Sequence, residues 1–341
     1  MILPCYNSKN LIHNCLRSFF KTDFKNYELI IVDDCSTDGT YEIVKKLVTS
    51  KKNVKVFQNK INLGPSATRN FGIKKSVGEY IAFIETDMEF EPAWLKHLVK
   101  RFDEDKNVAA VQSKVMDLNK RNLIQAVGVR YDPHTFWVVS VGIGLPKDSI
   151  KIPEKVGLGS VGTLYRKSVL KKVGGFDERL VHNIDDIDLS WRIWLAGYTT
   201  LSEPGSITYH WAVKPSSVRS LSTPAARSEF HSNKTLRVFL KNYEAKSLVK
   251  YVPWLFFATI LRIVKNIVHG NPKPLIGFIK SVFWNLSVLA DTLRERKRIQ
   301  SLRKRSDNEI IDIIGLKGNF FQVFLGQIRP TMLRAIKAFT Q

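Results

Sequence analysis

Residues 28–34 read Glu28-Leu29-Ile30-Ile31-Val32-Asp33-Asp34, an unbroken apolar run that stops on two carboxylates. An apolar run without polar alternation fits a strand buried on both faces, and such strands belong almost only to parallel sheets covered by helices. The flanking sequence supports that reading. Helix-start residues (Ser36-Thr37-Asp38-Gly39-Thr40) lead into a helical pattern over 38–49. Further strand-like runs at 54–58 and 79–84 alternate with helical patterns over 65–76 and after Pro92, a residue suited to a first helical turn. Strands alternating with helices predict an α/β fold, a parallel sheet with helices on its faces. Ligands of such sheets sit at the carboxyl ends of the strands, where this chain places its acids.

The opening strand is expected to be cut short. Only Ile2 and Leu3 precede the turn read at Pro4-Cys5-Tyr6-Asn7, whereas a strand ordinarily has about five residues. No signal-peptide pattern is read in the first residues. Cys5, Cys15 and Cys35 fit no zinc spacing, and an odd number argues against a disulfide framework; a reducing cytosol is the expectation.

Charge divides the chain. Of a net +22, residues 213–341 carry 23 Lys and Arg against 7 Asp and Glu, while residues 1–212 carry 30 against 24. The predicted organisation is therefore a globular domain over 1–212 and a basic, apolar, helical region over 213–341. A basic and apolar mixture suits an anionic membrane surface or a nucleic acid.

Four groups of residues carry candidate chemistry. Asp34, where a strand gives way to a helix, can accept from a ribose hydroxyl or a base N–H; Asp38 is better read as a helix cap. Glu85-Thr86-Asp87 follows the apolar run Tyr80–Ile84. Alternation points Glu85 and Asp87 the same way, where two carboxylates can hold a hard divalent cation; alone, such a triplet is usually a solvated turn. Asn62-Leu63-Gly64-Pro65 opens a helix whose N–H groups favour an anion, with Arg69 adding charge; an ordinary Gly-Pro helix start remains equally open. Asp185, Asp186 and Asp188 crowd another helix start, with Asp185 and Asp188 on one face and Asp186 about 100° round from it. They could simply complement the helix dipole, yet Asp186 can also take a proton from a hydroxyl acceptor. His210, after an apolar run, is a possible further metal ligand or a structural histidine.

In order, these segments resemble the inverting family 2 glycosyltransferases of the GT-A fold. The resemblance covers about residues 1–212. It runs through Pro4-x-Tyr6-Asn7, Val32-Asp33-Asp34-x-Ser36-x-Asp38-Gly39-Thr40, Asn62-x-Gly64-Pro65-x-x-x-Arg69-Asn70 and Glu85-x-Asp87. It continues through Gly174-Gly175-Phe176-Asp177-Glu178, Asp185-Asp186-x-Asp188-Leu189-x-Trp191-Arg192, Ala196-Gly197-Tyr198 and His210. It implies a nucleotide-sugar donor, held by Pro4, Tyr6, Asn7 and Asp34 with Asn62, Gly64, Arg69, Glu85 and Thr86. It implies a divalent metal, Mn or Mg, on Asp87 with His210 as candidate partner. Asp186 would deprotonate a hydroxyl of a glycan or lipid-linked glycan, with Asp185 and Trp191 on the acceptor side. This chain departs from the family pattern in having Glu85-Thr86-Asp87 where Asp-x-Asp is usual and Asp185-Asp186 where Glu-Asp is usual.

In the basic region, Tyr251–Leu261 is apolar over 11 residues before Arg262 and Lys265, and Pro274–Ala290 carries Lys280 and Asn285. Against the roughly 20 apolar residues of a helical span, neither qualifies cleanly, so interfacial helices with a polybasic patch from Arg294 to Arg305 are expected on anionic lipid, the alternative being a solvated charged helix with some core packing. That predicts a peripheral or monotopic protein on the cytoplasmic face of the cell membrane, with nucleic acid an unlikely partner. Two rivals stay open. A nucleotidyltransferase would show a Gly-rich basic loop after its first strand, which Pro4–Ser8 lacks; a non-catalytic binding module would leave the ordered acids without a purpose.

Overall fold

A computed structural model describes residues 1–135, 137–159, 161–180, 184–211 and 234–316. The chain divides into two compact units, and the 212/213 boundary read from sequence lies outside the described residues. The first unit comprises Met1–Val129, Ser140–Ile193 and the stretch from Tyr198 to Trp211. The second comprises Arg130–Val139, Trp194–Gly197 and residues 234–316.

The first unit is built on a nine-stranded sheet of order β3-β2-β1-β4-β10-β6-β11-β5, with β7 added alongside β6. Its strands are β1 (Ile2–Cys5), β2 (Leu29–Asp33), β3 (Val54–Gln58), β4 (Tyr80–Phe83), β5 (Met88–Phe90), β6 (Val108–Asp117), β7 (Ile124–Ala126), β10 (Thr163–Arg166) and β11 (Thr199–His210). Strands β1 to β4 run parallel; β10 is antiparallel to both β4 and β6, and β5 is antiparallel to β11. A short pair, β8 (Val129–Tyr131) and β9 (Val138–Ser140), stands apart. The helices are α1 (Ile12–Phe19), α2 (Thr40–Val48), α3 (Pro65–Lys75), α4 (Trp94–Glu104), α5 (Lys167–Val173) and α6 (Asp185–Leu195).

Strand β2 shows why the 28–34 run lacks alternation. Leu29 and Ile31 join a core with Ile12, Leu16, Phe19, Val44 and Trp94, while Ile30 and Val32 are equally buried on the opposite side. With helices on both faces, polar residues on either side would be desolvated without partners. Strand β1 differs from expectation: it continues through Pro4 and Cys5, pairing Ile2–Cys5 with Ile30–Asp33. The turn therefore begins only at Tyr6. Helix α3 lies close on β1, because Gly72 presents no side chain where Ile2 sits.

The second unit holds α7 (described over 234–242), α8 (Ala245–Val268), α9 (Lys273–Ser287), α10 (Leu289–Ser301) and α11 (Asp307–Ile314). Two features differ from the sequence reading. The stretch around Tyr251–Leu261 is part of one 24-residue helix, continuous through Pro253, and this helix is long and apolar enough by length and composition to cross a membrane. Helices α9 and α10, by contrast, bend by 67° at their junction. Phe257, Ile260, Val264 and Val268 of α8 and Ile276, Ile279, Phe283 and Leu286 of α9 are exposed.

The polybasic cluster is largely engaged inside this unit. Arg296 donates to the carbonyls of Leu240 and Tyr243, Gln300 to those of Lys241 and Asn242, and Arg303 to Asn242 and the Asp307 carboxylate. Carbonyls at a helix C-terminus lack intrahelical partners, and these side chains satisfy them. Arg298 pairs with Glu295, and Arg305 lies over the Trp194 ring. Two of the cations read as lipid-facing, Arg296 and Arg303, thus hold the end of α7.

Candidate active site

The end of β4 runs through Ile84-Glu85-Thr86-Asp87 into β5. His210 is the last residue of β11, and its pairing with Met88 sets the imidazole beside Asp87. His210 Nε2 stands 3.4 Å from Asp87 Oδ2 and 3.7 Å from Glu85 Oε2. One ligand atom from each of the three lies within 4.8 Å of the others. Two carboxylates and an imidazole, brought together from two segments of one sheet, suit a hard to borderline divalent cation such as Mg or Mn. Burial lowers the His210 pKa, but the Asp87 and Glu85 carboxylates beside it outweigh that and bring it up to about 9. For Glu85, burial works upward, and His210 with the Arg69 charge holds it below the usual carboxylate range. Thr86 turns the other way and donates to Ser8 Oγ at 3.1 Å.

Arg69 connects this cluster to α6. Its guanidinium, 6% exposed, donates from Nη1 to Asp185 at 2.9 Å and from Nη2 to Glu85 at 3.0 Å. Burial opposes its charge, but Asp185, Glu85 and Asp186 overcome that and raise its pKa. The sequence reading of Arg69 as a cation added to a helix-start anion site is thereby corrected: its terminal nitrogens are already committed to two carboxylates. Ser66, in the first turn of α3, donates to the same Asp185 oxygen at 2.9 Å.

The start of α3 is fixed from below by Asp34. This carboxylate, 4% exposed, accepts from Asn59 Nδ2 at 2.7 Å and from the backbone N–H groups of Leu63 and Gly64 at 2.9 and 2.8 Å. Asp34 thus pins the Asn62–Pro65 turn. Pro65 occupies the first position of α3, and Asn62 is exposed. Asp33 accepts from Ser36 N and Gln58 Nε2. Asn7, in the left-handed region at φ 46°, accepts from Thr37 N, and its own N–H donates to Ser36 Oγ. Pro4 lies within β1, paired with Val32, and Tyr6 is 39% exposed beside this turn. Asp38 accepts from Thr40 N, the first residue of α2.

The three acids of α6 separate by depth. Asp185 is 3% exposed and held by Arg69 and Ser66; Asp188 is fully buried and pairs with Arg192 at 2.8 Å; Asp186 keeps intermediate exposure. Burial first, then the Asp186 charge, pushes the buried Tyr165 phenol up, and the same carboxylate adds to the charge that stabilises Arg69. Trp191 is a correction: it is fully buried, one turn beyond Asp188, and presents no surface to an acceptor. Asn59, Ser66 and Gln125 were not read from sequence. Asn59 follows a strand end, a usable signal; Ser66 and Gln125 have none, since their partners lie far along the chain.

Comparisons with known proteins agree with this architecture. A family model described as "Glycosyl transferase family 2" matches residues 1–174. A poly-beta-1,6-N-acetyl-D-glucosamine synthase of Staphylococcus epidermidis is 27% identical over 74% of this chain and 58% of its own length. A Staphylococcus aureus counterpart is 25% identical over 77% and 61%. The chain thus spans about three-fifths of these relatives. Among solved structures, GalNAc-T7 with UDP, GalNAc and Mn2+ has a TM-score of 0.59 at 16% identity, over 72% of this chain and 48% of the other. S. aureus TarS 1–349 in complex with UDP-GlcNAc has 0.55 at 22%, over 89% and 82%. At such identities the structures speak for the shared GT-A fold alone. With more than half its residues matched by the family model, the chain belongs to glycosyl transferase family 2.

Proposed function

We propose that this chain transfers a sugar from a nucleotide-diphosphate donor to a hydroxyl of a glycan or lipid-linked glycan, by a single displacement that inverts the anomeric centre. The observation that carries the reading is the junction of the Glu85, Asp87 and His210 cluster with Asp185, the neighbour of Asp186, through one buried arginine. Glu85, Asp87 and His210 would hold a divalent cation, Mn or Mg, which when bound neutralises charge on the donor diphosphate. Asp186, more exposed than its helix neighbours, takes the acceptor proton. Asp185 and Arg69 orient the start of α6, and Asp34 orients the turn that faces the nucleotide, together with Tyr6 and Asn7. The curated relatives named for N-acetylglucosamine polymers make UDP-N-acetylglucosamine the first donor to test.

The division of labour we infer is a catalytic region over 1–212 and a membrane-associating region over 213–341, on the cytoplasmic face. The exposed apolar residues of α8 and α9 support that reading, and retention in the membrane fraction through high salt, with carbonate extraction as the second step, tests it. The activity is tested by nucleotide-sugar turnover with Mn2+ or Mg2+ against EDTA. Loss of a general base costs roughly 10²–10⁴-fold in rate, so Asp186→Asn is expected in that range, and Asp87→Ala is expected to abolish metal dependence. Turnover indifferent to metal and to both substitutions would refute the assignment; the product anomer, read by NMR, tests inversion.

A further inference from the structure

The imidazole of His210 has two sides. Nε2 faces Asp87 and Glu85, and Nδ1 meets the amide of Gln125, at 2.9 Å from its Nε2 and 3.1 Å from its Oε1. Gln125 arrives there by an irregularity in the sheet. Val115 of β6 pairs with Ala126 of β7, and Met116 with Ile124, so one step on β6 is matched by two on β7 and Gln125 is the additional residue. Bulges of this kind re-aim a side chain and are frequent beside active sites. The flanking Ile124 and Val127 are buried in an apolar cluster with Met116 and Val141, so the bulge turns one amide out of an otherwise aliphatic strand and toward the histidine.

We propose that Gln125 is a positioning residue for His210, accepting the Nδ1 proton so that the Nε2 lone pair is presented to a divalent cation between Glu85 and Asp87. The inference rests on the metal reading above and adds what makes His210 a competent ligand. A neutral imidazole carries one N–H, and the partner of one nitrogen decides the state of the other. Metal-ligating histidines almost always donate their second N–H to an oxygen acceptor, which fixes tautomer and ring orientation. Gln125 Oε1 is such an acceptor. With the amide turned over, its NH2 group would donate to Nδ1 and leave the proton on Nε2, aimed at the carboxylates.

Mn2+ titration of the full chain by calorimetry at fixed pH, without donor, tests this apart from turnover. Gln125→Met keeps the length of the side chain and removes the acceptor; its Mn2+ affinity is expected to fall about 10–100-fold, the usual cost of losing an outer partner. Gln125→Glu keeps an oxygen at Nδ1 and is expected to stay near wild type. Thermal unfolding in EDTA should be alike for all three, since the bulge is a backbone feature. Unchanged affinity in Gln125→Met, or equal losses in both variants, would overturn the proposal. Asp87→Ala separates the two levels: if wild type binds Mn2+ and Asp87→Ala does not, the metal reading stands whatever the Gln125 variants do. A wild type that takes up no Mn2+ removes both.

Discussion

Replacing Arg69 by Met tests how the site is held together. Met has a similar length and no charge, so the substitution leaves little cavity and removes two charge-assisted hydrogen bonds, to Asp185 at 2.9 Å and Glu85 at 3.0 Å. The two carboxylates do not suffer equally. The Glu85 side chain is 28% exposed and keeps His210 and water, whereas that of Asp185 is 4% exposed and keeps Ser66 as a hydrogen-bond donor. Removing one member of a buried pair costs about 3–5 kcal/mol, mostly through the stranded charge. With Glu85 discounted for solvent, about 3 kcal/mol is expected, or on the order of 6–12 °C in the melting temperature of a unit of this size. Urea and thermal unfolding followed by a probe confined to the first unit measure it. The decisive arm is the double variant Arg69→Met with Asp185→Asn. If the cost comes from the stranded Asp185 charge, neutralising it should recover about half or more of the loss, a coupling well above the additive expectation. A loss under about 1 kcal/mol in Arg69→Met, or strict additivity in the double variant, would refute this account.

Two further outcomes follow from the same coordinates. Burial raises the Glu28 pKa, but the N–H groups of Val77 and Gly78 and the Lys55 ammonium outweigh it and hold it below the usual range, so its stabilisation is complete above the unfolded pKa and lost as pH falls through the folded one. Glu28→Gln should therefore cost about 1–2 kcal/mol at pH 7, with the difference shrinking below about pH 4 in urea unfolding; a pH-independent difference would contradict it. Gly72→Ala would gain about 1 kcal/mol on helix propensity alone. Here the added methyl meets the buried Ile2 side chain, and overpacking of about 1–3 kcal/mol reverses the sign; a raised melting temperature would show that α3 can shift away from β1.

Local pattern was enough for several strands and helices of the N-terminal half, though α1 (Ile12–Phe19) and β5 to β7 were not read from it. The 28–34 run became β2 (Leu29–Asp33), 54–58 became β3 to the residue, and 65–76 became α3 (Pro65–Lys75). Each is encoded within its own span: both faces of β2 are buried, and Gly-Pro marks where α3 begins. The C-terminal helices were less legible. Charged residues inside α8 broke its apolar run in the sequence, yet the helix continues through them, because Lys and Arg are good helix formers and do not interrupt the backbone hydrogen bonds. In the basic stretch after Leu293, Arg296 and Arg303 satisfy carbonyls of α7, a role with no local signature.

By itself the sequence determined the α/β class, the strand-end position of the acids and the ordered motifs of the family, since hydrophobic period and turn residues act over a few positions. Only tertiary structure decided which of those acids meet. Arg69 finds Asp185 116 positions away, and His210 reaches Asp87 through the antiparallel pairing of β11 with β5. Charge compensation in a buried site depends on distance in space and on desolvation, and neither quantity is written in the spacing of residues along the chain.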